Sequence, residues 1–242
     1  MPALPLRAAR LALPLASIAL VGTVARSVAG DVVKGRITGQ ETLVGDQYVD
    51  ASKNDGHHYT WREPSPTVRA EFRTLSGNPS RDLCIAALST AGNQPPQQPI
   101  LIKVTGERTI PSTLVITPGT KLAFENRDPF PHRLYIVGSP TWKAESIAPG
   151  QRREWSAPPN AGRIEIRDEL FPSVRSFVVI EPTVAAIAFP GRDNSFSFDL
   201  PPGDYVLKAF FGGRQVGRPV QITAKDKPFD LKDPLSVAAG GG

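Results

Sequence analysis

Short apolar runs that alternate with polar residues, cut apart by proline and glycine, set the first limit on how this chain folds. The 25 prolines and 21 glycines fall between runs of Val, Ile, Leu, Phe and Thr. Lys121-Leu122-Ala123-Phe124-Glu125 and Ser195-Phe196-Ser197-Phe198-Asp199 both alternate with period two. In a strand successive side chains point to opposite faces, so this pattern buries one face and wets the other. No segment beyond residue 29 sustains a 3.6-residue apolar period. Turn residues at regular intervals between such runs predict an all-β fold, a sandwich or a barrel.

Residues 1–29 are read apart from the fold. Arg7 and Arg10 form a basic start, Leu11 to Ala25 is an apolar run, and Ser27-Val28-Ala29 is a small-x-small cleavage signature ahead of Gly30. The run is too short for a comfortable membrane span, so a cleaved secretory signal peptide is expected, with a retained N-terminal anchor as the alternative. Residues 1–29 carry three arginines and no acid, so their removal lowers the formal charge from +5 to +2. No nucleic-acid partner is expected from so small a surplus. No transmembrane span is expected after cleavage, and the location expected is the periplasm or the secreted fraction. Cys84 is the single cysteine and lies inside the apolar run Leu83 to Ala87. It is expected to be a buried small hydrophobe, and no intramolecular disulfide can form.

Composition shifts divide the chain. Residues 30–99 begin with the strand pattern Asp31-Val32-Val33-Lys34-Gly35-Arg36-Ile37-Thr38-Gly39, continue through a polar loop from Asp50 to Pro66, and end in the linker-like Asn93-Gln94-Pro95-Pro96-Gln97-Gln98-Pro99. Residues 100–181 hold strand patterns at Ile100–Val104, Ser112–Ile116, Leu134–Val137, Arg163–Arg167 and Ser176–Ile180. Residues 182–225 hold a strand, a Pro201-Pro202-Gly203 turn and a second strand, read as a hairpin. Residues 226–242 read as a C-terminal tail.

Two resemblances rest on these residues. The stretch Thr117-Pro118-Gly119-Thr120-Lys121-Leu122-Ala123-Phe124-Glu125-Asn126-Arg127-Asp128-Pro129-Phe130-Pro131-His132 resembles the segment that delivers the first copper histidine in cupredoxins. With the strands that follow, it is similar to periplasmic cupredoxin-like proteins of the methylamine-utilisation (plastocyanin-like) type. The opening strand and the Phe196-x-Phe198-x-Leu200-Pro201-Pro202-Gly203-x-Tyr205-x-Leu207 pattern resemble carboxypeptidase-regulatory-like β-modules. The fold implied is a cupredoxin-like Greek-key β-sandwich, with an additional small β-sandwich or hairpin module.

A blue-copper centre needs a thiolate and two imidazoles, usually with a weak axial thioether. In the methylamine-utilisation type the resemblance places cysteine, histidine and methionine on one loop as C-x-x-H-x-x-M. Here that loop is Ile166-Arg167-Asp168-Glu169-Leu170-Phe171-Pro172-Ser173-Val174-Arg175. Asp168 stands at the cysteine, Phe171 at the histidine and Val174 at the methionine, so a degenerate copper site is expected and electron transfer is not. His132 is left to form a charge-assisted hydrogen bond with Asp168 across the two loops. The alternatives are a harder metal held by His132 with Asp128, Asp168 or Glu169, and a surface histidine. His57-His58, in the polar loop, are the other weak metal candidates, for loosely bound Cu(II).

No catalytic residues are expected. Ser112 and Ser173 lack a nucleophile-elbow sequence, and the adjacent carboxylates Asp168 and Glu169 face opposite sides at a strand end. The expected function is a non-catalytic structural or protein-binding component of the bacterial periplasm or cell envelope, without a cofactor. The partner is an envelope protein or a glycan, with Trp142, Phe171 and Arg175 as candidate contacts. The alternative is a periplasmic copper-handling protein that uses its histidines.

Overall fold

The computed structural model describes residues 31–43, 78–90, 94–106, 108–160 and 162–238. Two strands precede the middle of the chain, β1 (Asp31–Thr38) and β2 (Leu83–Leu88). Nine make up the middle: β3 (Ile100–Val104), β4 (Thr109–Ile110), β5 (Thr113–Ile116), β6 (Lys121–Asn126), β7 (His132–Ile136), β8 (Glu145–Ile147), β9 (Arg152–Ser156), β10 (Gly162–Asp168) and β11 (Arg175–Ile180). Six follow: β12 (Val184–Ala188), β13 (Ser195–Leu200), β14 (Gly203–Phe211), β15 (Arg214–Ala224), β16 (Phe229–Asp230) and β17 (Leu235–Ser236). The fold is all-β, as the period-two pattern predicts.

The middle strands form two facing sheets, ordered β4-β3-β6-β9 and β5-β11-β10-β7-β8. β3 runs parallel to β6 and β5 parallel to β11, while the other pairs are antiparallel. Strands adjacent in sequence therefore often lie in opposite sheets. This is a Greek-key sandwich of the cupredoxin-like kind. Its inner faces meet in a core that includes Ile102, Leu122, Phe124, Leu134, Ile166, Val174 and Val178. The Pro118-Gly119 turn that starts β6 forms as expected: Gly119 has φ 78° and Thr120 N–H donates to the Thr117 carbonyl at 3.2 Å. The proline presets the first turn position and the glycine takes the left-handed second.

The flanking strands form two more sheets. β1 pairs with β13, β16 and β17, and the second sheet is ordered β12-β2-β14-β15. Strands from the 30–99 and 182–225 stretches thus pair with each other around the middle sandwich. β2 is buried along its whole length, and its period of two explains why. Leu83, Ile85 and Ala87 face the core shared with β1 and β13. Cys84, Ala86 and Leu88 face the junction with the middle sandwich, where they meet Val115. A strand with both faces covered reads as a continuous apolar run rather than an alternating one. Cys84 is the buried hydrophobe expected, and burial pushes its thiol up to about 12.

Two expectations are corrected. The strands on either side of Pro201-Pro202-Gly203 are not a hairpin: β13 pairs with β1 and β14 pairs with β2 and β15. The two prolines have no N–H to give a ladder, and the chain crosses from one sheet to the other. The Tyr205 hydroxyl donates to the Pro201 carbonyl at 2.8 Å and fastens that corner. The hairpin is one step later, where β14 and β15 close on Gly212-Gly213 with φ of 58° and 72°. Two consecutive left-handed residues match the twist of a tight hairpin, which favours glycine at both places.

The second correction concerns residues 226–238, read as tail. β16 and β17 add in parallel to β1, and Leu235 and Val237 are fully buried. Gly217, at φ 65° in β15, gives the segment room, because a Cβ there would overlap the Ser236 carbonyl oxygen. Gly217→Ala should therefore destabilise the protein by about 3 kcal/mol, from overpacking and a strained left-handed alanine together. Urea unfolding checks this; a loss below about 0.5 kcal/mol, the level of ordinary surface substitutions, would contradict the docking of this segment.

Candidate functional site

β6 ends at Asn126, and the next five residues loop over the end of the middle sandwich before β7 begins at His132. Asn126 organises that loop. Its side-chain N–H groups donate to the carbonyls of Phe130 at 2.7 Å and Ile147 at 2.8 Å, and its side-chain oxygen accepts from Asp128 N–H at 2.9 Å. Its backbone is also engaged: Asn126 N–H donates to the Gln151 carbonyl, and Gly150 N–H donates to the Asn126 carbonyl. Asn126 is fully buried, so each bond replaces one that water cannot make. Beside it, hydrogen bonds from the Arg152 and Arg127 guanidinium groups hold the Glu125 carboxyl below its ordinary range.

The loop places His132 inside the protein, at 0% exposure. Nδ1 lies 2.8 Å from Asp168 Oδ2, and Nε2 lies 3.0 Å from Asp128 Oδ2. Both ring nitrogens are thereby engaged by a carboxyl group. Asp168 accepts three further bonds, from Arg133 N–H at 3.1 Å, Leu170 N–H at 2.7 Å and Phe171 N–H at 3.1 Å. Asp128 Oδ1 accepts from Gly106 N–H at 2.7 Å. The cluster therefore ties together the loops after β3, β6 and β10. Aromatic rings close over it. The imidazole centroid lies 5.3 Å from the Phe130 ring and 5.1 Å from the Phe171 ring, and the two phenyl rings are 4.7 Å apart. Apolar rings lower the local dielectric and strengthen the hydrogen bonds beneath them.

These residues do not fit a blue-copper ion. Neither imidazole nitrogen presents a lone pair to an open position, and the carboxylates sit at opposite edges of the ring. Phe171 brings a phenyl ring where the resemblance places an imidazole, and Val174 is fully buried in the middle core. Cys84 belongs to the junction cluster on β2, in a sheet that does not contain His132. Among the described residues no group of three or more His, Cys, Asp or Glu side chains is arranged to hold a metal ion.

The His132–Asp168 bond anticipated from the sequence is present, and so is the outward turn of Glu169, whose half-exposed carboxylate pairs with Arg133 at 2.9 Å. Glu169 therefore does not join His132. Asp128, weighed only as a metal partner, is instead the second hydrogen-bond partner of the ring. Trp142 is corrected as a partner contact. It is 8% exposed, its Nε1–H donates to the Glu154 carbonyl at 3.3 Å, and the Arg153 guanidinium lies over its ring at 4.0 Å. Phe171 and Arg175 are half-buried. His57 and His58 lie outside the described residues. Asn126 and Phe130 escape the sequence reading, although an asparagine two residues before Asp128-Pro129 is a signal for a side-chain-stabilised turn.

No protein-family model matches the chain, and no curated protein matches it. Solved structures do show likenesses. A copper-containing nitrite reductase from Thermus scotoductus SA-01 is 15% identical over 39% of this chain and 25% of its own, with a TM-score of 0.32. This chain thus spans about a quarter of the reductase. A mutant of amicyanin in its reduced Cu(I) form at pH 4 is 16% identical over 40% of this chain and 98% of its own, with a TM-score of 0.33. A purple cupredoxin from Nitrosopumilus maritimus is 17% identical over 34% of this chain and 99% of its own, with a TM-score of 0.31. The fold assignment rests on strand order and pairing, not on these likenesses.

Replacing Asn126 by Ala leaves two carbonyls and one N–H without partners in a buried place. The expected loss is about 3 kcal/mol, at one to three per unsatisfied group with partial relaxation. Chemical denaturation measures it, and a loss under about 1 kcal/mol would show that the loop holds itself without Asn126.

Proposed function

We propose that this chain is a non-catalytic, cupredoxin-like binding and structural protein of the bacterial periplasm or cell envelope, exported by its N-terminal leader. The observation that carries this reading is the double engagement of His132. Its two ring nitrogens are spent on Asp168 and Asp128, so this histidine, the only one among the described residues, acts as a structural cross-link. A redox role would need a thiolate beside it, and Cys84 is buried elsewhere.

The same end of the sandwich offers a surface to a partner. Leu170 is 46% exposed, Pro129, Pro131 and Pro172 are exposed, and Phe130 and Phe171 are half-buried beside them. Apolar side chains on a loop pinned by hydrogen bonds lose little entropy when covered, which favours contact with a protein or a glycan. The flanking sheets, whose strands resemble carboxypeptidase-regulatory modules, serve in this reading as a spacer that sets the sandwich apart from its attachment.

A two-arm experiment tests the proposal. In the first arm the purified protein is titrated with Cu(II) beside its His132→Ala variant. No intense visible band is expected, and any copper taken up through His57 and His58 is expected to be the same in both proteins. Uptake that disappears with His132 would establish the copper-handling alternative instead. In the second arm a photo-crosslinker at residue 170 is compared with one at Val137, at the far end of β7. Adducts from envelope extracts are expected at 170 only. Absence of adducts there at every ionic strength would sink the binding role.

A further inference from the structure

Residues 229–238 close one side of the second sandwich as a strap. β15 ends at Ala224, residues 225–228 turn the chain back, and the strap then runs between β15 and β1. Its two short strands, β16 and β17, pair in parallel with β1. Leu231 N–H donates to the Lys34 carbonyl and Val237 N–H to the Thr38 carbonyl, each at 2.8 Å. Phe229, Leu231, Leu235 and Val237 pack on the core that holds Val33 and Ile37. Without the strap this edge of β1 would present unpaired N–H and C=O groups beside uncovered apolar side chains, the two properties that let an edge accept another strand.

The seat is shaped to this segment along its length. A Cβ on Gly35 would fall 2.8 Å from Leu231 Cδ1, and one on Gly39 would fall 2.9 Å from Ala238 Cβ. One on Gly217 would overlap the Ser236 carbonyl. Three positions on two strands thus lack a side chain where the strap passes. The attachment of the strap is looser than its seat. Lys225, Asp226, Lys227 and Pro228 are all exposed and lie outside the strands. A proline pushes the residue before it towards extension, here Lys227. Extension is the conformation this hinge needs to carry the strap away from its own β1 instead of back onto it.

We propose that the strap is exchangeable, and that the β1 edge takes the same strap from a second copy of this chain to give a reciprocal two-fold dimer. Residues 229–238 of each copy then lie on β1 of the other. Every contact of the strap in the closed chain recurs in that dimer, so only the hinge differs between the two forms. Concentration sets the balance between them. A strap on so short a hinge meets its own seat at about millimolar effective concentration, so the closed single chain prevails below that level and the exchanged pair above it. The exchange does not depend on the role proposed for the His132 end.

The test is a cross-link between two full chains. Cys84, the single cysteine, is fully buried, so introduced thiols report alone. Thr38 and Ser236 are paired neighbours on β1 and β17, and both are exposed; adjacent strands stand at a spacing that a disulfide spans. Copies with Thr38→Cys and differently tagged copies with Ser236→Cys are unfolded in urea, mixed, refolded together at about 1 mM and oxidised. A disulfide between the two copies is expected. The control pairs Ser236→Cys with Thr141→Cys, an exposed position on the middle sandwich, and only background cross-linking is expected there. In a second arm Asp226 and Lys227 are deleted, so that the strap no longer reaches back to its own seat. Sedimentation is expected to show dimers of this shortened chain at about a hundredfold lower concentration than wild type, because the closed alternative is gone. Circular dichroism checks that it is folded. A Thr38–Ser236 cross-link no more abundant than the control, or a shortened chain that is folded and single, would overturn the proposal. If the shortened chain does not fold, the cross-link alone decides.

Discussion

The hydrogen bonds between the two nitrogens of His132 and the carboxyl groups of Asp168 and Asp128 hold the end of the middle sandwich together. They join segments far apart in sequence. His132 opens β7, Asp168 closes β10, and Asp128 reaches Gly106 in the loop after β3. A buried polar cluster of this sort is costly to desolvate and valuable only when every remaining lone pair and proton is satisfied. Three backbone N–H groups complete Asp168, and Gly106 N–H completes the far side of Asp128. Asn126 fixes the loop that brings the ring to its place.

That arrangement decides the chemistry. An imidazole with both edges occupied is a brace. Where the resemblance to cupredoxins would place sulfur and a second imidazole, the loop carries the carboxylate of Asp168, the phenyl ring of Phe171 and the isopropyl group of Val174. The carboxylate keeps a hydrogen bond to His132 where a metal would have needed a lone pair. Phe171 and Phe130 cover the ring. The second sandwich adds mass and a broad interface through β2, whose even-numbered residues face the junction.

Much of this is legible in the residues. Period-two runs predict strands because a half-buried sheet leaves that trace, and the Pro118-Gly119 turn follows from the φ each residue favours. The His132–Asp168 bond is legible through the resemblance, which sets Asp168 on the loop that faces the histidine. Other features leave weaker traces. The double burial of β2 reads as a plain apolar run, and whether a covering layer lies on one face or two is decided by segments far away in sequence. The Pro201-Pro202-Gly203 corner and a hairpin turn look alike until the pairing of β13 with β1 separates them. The hairpin at Gly212-Gly213 is open to a closer reading, since two consecutive glycines between Phe211 and Arg214 favour that turn. Docking of Leu235 and Val237 depends on the room left by Gly217, a contact that no local pattern records. The place of Trp142 after a turn suggests exposure, whereas Arg153 and Phe124, both distant in sequence, cover its ring.

A double-mutant cycle between His132 and Asp168 tests the brace most directly. The stabilities of His132→Ala, Asp168→Asn and the double variant, measured by urea unfolding, give their coupling without assuming the cost of either change alone. The coupling expected for a buried, charge-assisted contact is about 1.5–3 kcal/mol. Additivity within about 0.5 kcal/mol would mean that the two side chains stand together without supporting each other, and His132 would then be no brace at all.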